Sequence, residues 1–113
     1  MQPEVLKYLF DIQTSILSIR EFVGSNQSFN DFDQNKLLKR GVERELEIIG
    51  EAVNRILKIY PHFEISNARK IVNLRNWVIH SYDNVDAIII WVILTRDLPI
   101  LEKEVHLLVE KYR

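Results

Sequence analysis

The sequence predicts an all-α fold, an antiparallel bundle of four to five helices that pairs as a homodimer. Three observations carry this expectation. Apolar residues recur at spacings of three and four through most of the chain, the period of a half-buried helix. Only three glycines and three prolines interrupt 113 residues, and strand-like alternation is scarce. The one run that is apolar on every side, Ala87 to Leu94, needs more cover than a small bundle supplies.

The first helix is expected over Pro3 to Val23. Pro3 suits a first turn, where its missing N–H costs nothing. Val5, Leu9, Ile12, Ile16, Ile19 and Val23 form one stripe, and Gly24 ends it. A loop is expected through Phe29-Asn30-Asp31-Phe32, with its two aromatics pinned to the bundle. The second helix should run from about Asp33 to Tyr60. Leu38, Val42, Leu46, Ile49, Val53, Ile56 and Tyr60 make its main stripe, and Leu37, Gly41, Ile48, Ala52 and Ile59 a second one beside it. Two stripes imply more than one neighbour, and Gly41 and Ala52 would let a helix approach closely. Pro61 stops this helix, since a residue preceding proline avoids the helical region.

The third helix is expected to start with Ser66 as N-cap. It would bury Ala68, Ile71, Val72 and Ile79 and end near Ser81 or Tyr82. The fourth begins after Asp83-Asn84, with Asp83 and Asp86 spaced as a capping pair. Leu98, Leu101, Val105, Leu108 and Tyr112 continue its period to the end of the chain, so a kink is expected just before Pro99.

Length fits a single domain over residues 1–113. Without cysteine there is no disulfide framework, thiolate metal site or thiol nucleophile. The longest apolar run is eight residues, against about 20 for a membrane-spanning helix. The opening Met1-Gln2-Pro3-Glu4 lacks the basic and apolar regions of a signal peptide, so a cytoplasmic location is expected. A formal charge of −1 is unlike a general nucleic-acid binder, which leaves any such role to a local patch. Ile65 to Tyr82 is one candidate, with Arg69, Lys70, Arg75 and His80 and no acid. From charge alone, a merely solvated basic helix face is the favoured explanation.

Chemistry concentrates in Arg75-Asn76-Trp77-Val78-Ile79-His80-Ser81-Tyr82. At about 100° per residue, Arg75 falls in the middle of the apolar stripe of its helix. A guanidinium there needs a partner. A structural salt bridge to Glu51 is one explanation and a catalytic role another. His80 alone would be an ordinary polar residue. Five residues turn it away from Arg75 on an ideal helix, so the two converge only if the helix ends early or two copies face each other. No metal-ligand spacing, glycine-rich phosphate loop or nucleophile elbow occurs, and no cofactor is expected. Of the acids on the second helix, Glu43 and Glu47 read as a solvated face and Glu51 as the polar partner of Arg75 or His80.

The order Arg, four residues, His, one residue, Tyr, met here as RNWVIHSY, resembles the HepT-like HEPN proteins. LEIIGEAVNRI (Leu46 to Ile56) and VDAIIIWVILTRDLPILEKEV (including Asp97-Leu98-Pro99) are similar to the flanking patterns of the same family, in the same order. The resemblance implies a helical bundle that dimerises so that two Arg…His motifs share a cleft. It implies a metal-independent endoribonuclease toxin of a type II/VII-like toxin–antitoxin system. Arg75 and His80 would be its catalytic residues and Asn76 a supporting one. It further implies a partner nucleotidyltransferase antitoxin that attaches AMP to Tyr82, giving O-AMP-tyrosine. The competing expectation is a non-catalytic nucleotide- or substrate-binding subunit of a nucleotidyltransferase.

Overall fold

The computed structural model describes residues 2–25, 28–79 and 85–113, with the backbone path alone for residues 74–79, 85 and 86. Every regular element among them is helical: α1 (Pro3–Val23), α2 (Phe29–Gln34), α3 (Lys36–Ile59), α4 (Ala68–Ile79), α5 (Val85–Val92), a π-helical turn (Ile93–Asp97) and α6 (Leu98–Tyr112).

The first helix has the expected bounds for the expected reasons. Pro3 occupies its first turn with Glu4 beside it, where a negative charge favours the helix dipole. Gly24 ends it with φ of 74°, a conformation that side chains disfavour, and its N–H bonds the Arg20 carbonyl at 3.0 Å. Val5, Leu9, Ile12, Ile16 and Ile19 are buried. They face Val42, Leu46, Ile49, Val53 and Ile56 of α3 and Leu98, Leu101, Val105 and Leu108 of α6, all in one core. The α1–α3 pair is antiparallel. Phe22, near the end of α1, covers Gly41 near the start of α3, and Tyr8 lies under the Arg55 guanidinium at the far end.

The expected loop at residues 29–32 is instead the short helix α2. Ser28 caps it: its hydroxyl accepts from the Asp31 N–H at 3.2 Å, and the Asp31 carboxylate accepts from the Ser28 N–H at 3.5 Å. The aromatics are pinned as expected. Phe32 is fully buried, its ring 5.3 Å from that of Trp91, and Phe29 meets the same indole edge-on at 6.2 Å. The start of α3 moves from Asp33 to Lys36 because extended Asn35 separates the two helices, and its side chain caps the Leu38 N–H at 3.0 Å.

The second stripe of α3 is only partly covered. Ala52 is buried, Ile48 and Ile59 are half-buried, and Leu37 is 83% exposed. Gly41 makes room for a ring and not for a close helix: a Cβ there would lie 3.2 Å from Phe22 Cδ2. Phe22 is 46% exposed and free to yield. Gly41→Ala should therefore gain most of the helix propensity that glycine forfeits, a net stabilisation of about 0.5 kcal/mol. Thermal unfolding checks this, and a lower melting temperature would show that the ring cannot move aside.

Ser66 does not cap α4. It bonds elsewhere, and the helix starts at Ala68 after Asn67, which takes φ of 56° and accepts the Ile71 N–H at 3.0 Å. Ile71 is buried, with Ala68 and Val72 packed beside it, as the stripe predicts; Ile79 lies outside the described side chains. The kink before Pro99 is the π-helical turn. An uninterrupted α-helix would drive the proline ring into the Thr95 carbonyl. The turn widens instead, so that the Leu98 N–H reaches back five residues to the Ile93 carbonyl. The Thr95 hydroxyl also donates to the Trp91 carbonyl at 2.9 Å. No described helix is long and apolar enough to cross a membrane.

Candidate active site

Residues 75 and 76 lie in the C-terminal half of α4, the helix that packs on α3. The side chains of Arg75 and Asn76, and all of His80, Ser81 and Tyr82, fall outside the described residues. What the structure does show is how the motif helix is held.

Two polar ties cross from the start of α4 to the π turn and α6. The Ser66 N–H and hydroxyl both donate to the Glu104 carboxylate, at 2.9 and 2.7 Å. The Lys70 ammonium donates to Asp97 Oδ2 at 3.3 Å. Asp97 also accepts from Arg96, whose Nε lies 3.1 Å from Oδ1. Beneath these ties Ile71 borders a cavity of about 20 Å³ with Leu46, Ile49, Ile93, Leu98 and Leu101. Neither tie was expected from the sequence. The only signal was the Asp-Leu-Pro at 97–99, which entered as part of a family pattern without a role.

Burial pushes the Asp97 carboxyl up, but the hydrogen bonds and charges of Arg96 and Lys70 outweigh it and hold the pKa below its ordinary value. A carboxyl depressed in the folded state contributes stability above its unfolded pKa, near pH 4, and loses it as pH falls through the folded pKa. The melting temperature of the wild type should thus exceed that of Asp97→Asn at neutral pH, with the gap closing below about pH 4. Scanning calorimetry from neutral to acid pH measures it, and a constant gap would assign the difference to something other than this charge.

Glu51 lies on α3, where it accepts from Arg55 Nε at 3.0 Å and borders an open groove shared with Lys7, Tyr8, Asp11 and Arg44 of α1 and α3. Tyr8 first, then Glu51, raise the Arg55 pKa above its ordinary value. The pairing of Glu51 with Arg75 or His80 concerns groups outside the described side chains. Glu43 and Glu47 are half-buried and not fully solvated as expected, with Glu47 accepting from Arg44 at 3.3 Å. Among the described residues no three His, Asp or Glu side chains gather as a metal ion requires.

A helical bundle whose motif helix leads into an Arg-Asn…His-x-Tyr run has the architecture of the HEPN class. The profile of the family described as Ribonuclease HepT-like matches residues 12–108. A Methanocaldococcus jannaschii protein named as a candidate RNase is 36% identical over 105 residues, covering 92% of this chain and 95% of its own. A Thermococcus cleftensis protein named "Probable ribonuclease HepT" is 37% identical over 97 residues, 84% of this chain and 86% of its own. No solved structure is significantly similar. The chain belongs to the HepT-like ribonuclease family.

Proposed function

We propose that this chain is a metal-independent endoribonuclease, the toxin of a type II/VII-like toxin–antitoxin pair, acting as a homodimer with Arg75 and His80 at the shared cleft. The observation that carries this reading is the complete RNWVIHSY run at and beyond the end of α4, in a chain that the HepT-like family covers from residue 12 to 108. The relatives' names, a candidate RNase and a "Probable ribonuclease HepT", support RNA as the substrate.

The chemistry is proton transfer around a phosphodiester. Neutral His80 takes the proton from a ribose 2′-OH, the 2′-oxygen attacks phosphorus, and His80 of the partner subunit protonates the departing 5′-oxygen. The P–O5′ bond breaks as the P–O2′ bond forms, leaving a 2′,3′-cyclic phosphate. Arg75 neutralises charge developing on the phosphate oxygens through its two-pronged N–H fork. Asn76 orients the phosphate or a motif side chain, and Glu51 is the acid best suited to hold Arg75 or His80. One imidazole cannot be base and acid at once, which is why the mechanism needs two copies. Outward-facing Ile88 and Val92 on α5, the former 56% exposed, provide an apolar surface for a partner subunit.

The control partner in this reading is a nucleotidyltransferase antitoxin that transfers AMP to the Tyr82 hydroxyl. The added phosphate would compete for Arg75 and repel RNA. The decisive experiment incubates purified protein with RNA in EDTA and analyses the product ends, alongside light scattering. Cleavage to cyclic-phosphate ends by a dimer supports the reading, while a stable monomer, or activity that EDTA abolishes, overturns it. Binding of nucleotide without cleavage would favour the non-catalytic subunit. For Tyr82, intact mass after co-expression with such a nucleotidyltransferase should show AMP-sized additions that vanish in Tyr82→Phe. An unmodified yet neutralised chain would mean inhibition by binding alone.

A further inference from the structure

We infer that Asp97 is a positioning residue for this site: paired with Lys70, and assisted by Glu104 on Ser66, it sets where along the bundle α4 carries Arg75. The inference rests on the ribonuclease reading above.

The start of α4 is held from outside. Its expected cap, Ser66, spends both its N–H and its hydroxyl on Glu104, 38 residues away. One turn later Lys70 reaches Asp97, 27 residues away. Both acceptors lie on consecutive elements, Asp97 in the π turn and Glu104 in α6. Arg75 follows Lys70 by five residues, about 7.5 Å along the helix axis. A shift of α4 at Lys70 is therefore passed directly to Arg75.

Ile71 is buried where α4 crosses α3, on the same small cavity as Leu46 and Ile49. Such apolar contacts are non-directional, whereas a hydrogen bond constrains distance and angle. The aim of Asp97 is itself a product of the π turn. The wider turn changes the direction in which position 97 leaves the helix, compared with a continuous α-helix. Asp97 ends at 15% exposure between two cations, while the adjacent Arg96 stays open to solvent. Exposed lysine pairs add little to stability, and Lys70 is 47% exposed. The consequence of this pair belongs in turnover more than in melting temperature.

The test compares wild type, Asp97→Ala and the charge-reversed double variant Lys70→Asp/Asp97→Lys, with rates normalised to folded protein by circular dichroism. A misplaced catalytic group lowers kcat, so Asp97→Ala should lose about tenfold or more in kcat with KM for RNA within about twofold. The reversed pair should recover most of that loss. Backbone hydrogen exchange across residues 68–79 should quicken in Asp97→Ala while α1 and the body of α3 stay protected. Wild-type kcat in Asp97→Ala, a loss confined to KM, or a reversed pair no better than the single variant overturns the proposal. If the wild type itself cuts no RNA, the ribonuclease reading falls. Exchange then decides the clamp separately: unchanged protection in Asp97→Ala would refute it.

Discussion

His80→Ala and Arg75→Ala should each lower RNA cleavage by about a thousandfold or more, with the helical circular dichroism unchanged. The two losses have different origins. Removing His80 from a symmetric dimer deletes the base at one position and the acid at the other. The dependence of kcat on pH that this acid–base pair imposes should vanish with it. Removing Arg75 leaves proton transfer possible and strips charge stabilisation from the phosphate. Arg75→Lys separates charge from geometry: it keeps the former and loses the two-pronged fork, so partial activity is expected. Mixing wild-type with His80→Ala subunits adds a test of the composite cleft. Activity should fall more steeply than the fraction of wild-type chains, because a mixed dimer keeps only one of the two imidazoles. Retained activity in both single variants would end the mechanism, and unfolding of Arg75→Ala would return Arg75 to a structural salt bridge.

Phe32→Ala should cost about 3–5 kcal/mol, the loss expected when a large aromatic leaves a cavity it had filled. Phe32 is fully buried and sits on Trp91 of α5 from a helix only six residues long. Such a short helix has almost no stability of its own, so its docking depends on this ring and on Phe29. Against a total of about 5–15 kcal/mol for a small domain, the substitution should destabilise the whole chain measurably in urea unfolding. Because α2 packs on α5, the helix that follows the motif, cleavage should fall as well. A change under about 1 kcal/mol would mean that the site collapses around the smaller side chain.

Much of this was legible before any coordinates. The extents of α1 and the end of α3 follow from Pro3, Gly24 and Pro61 together with unbroken three–four periodicity. The candidate site reads from the sequence as a motif, because Arg75, His80 and Tyr82 keep a short, fixed spacing in one segment, and their side chains lie outside the described residues. Less visible was anything that depends on competition between distant groups. Ser66 has the chemistry of an N-cap, and no local feature shows that Glu104 will take its hydroxyl instead. Leu37 continues an apolar stripe perfectly well, yet it stands 83% exposed because no described element covers the side of α3 on which it lies.

The sequence by itself determined the all-helical class, the bounds set by its prolines and glycines, and the family to which the motif points. These rest on interactions within a few residues, since a helix makes its hydrogen bonds four residues apart and its stripe repeats at the same step. Only the tertiary structure decided that α2 is a helix stapled to Trp91, that Pro99 is accommodated by a π turn, and that this turn aims Asp97 at Lys70. Two of those outcomes join distant groups, Phe32 with Trp91 over 59 residues and Lys70 with Asp97 over 27, whereas the π turn itself closes over five. Which partner such a group takes is settled when the helices pack, because only then do burial and geometry make one acceptor or one ring better than water.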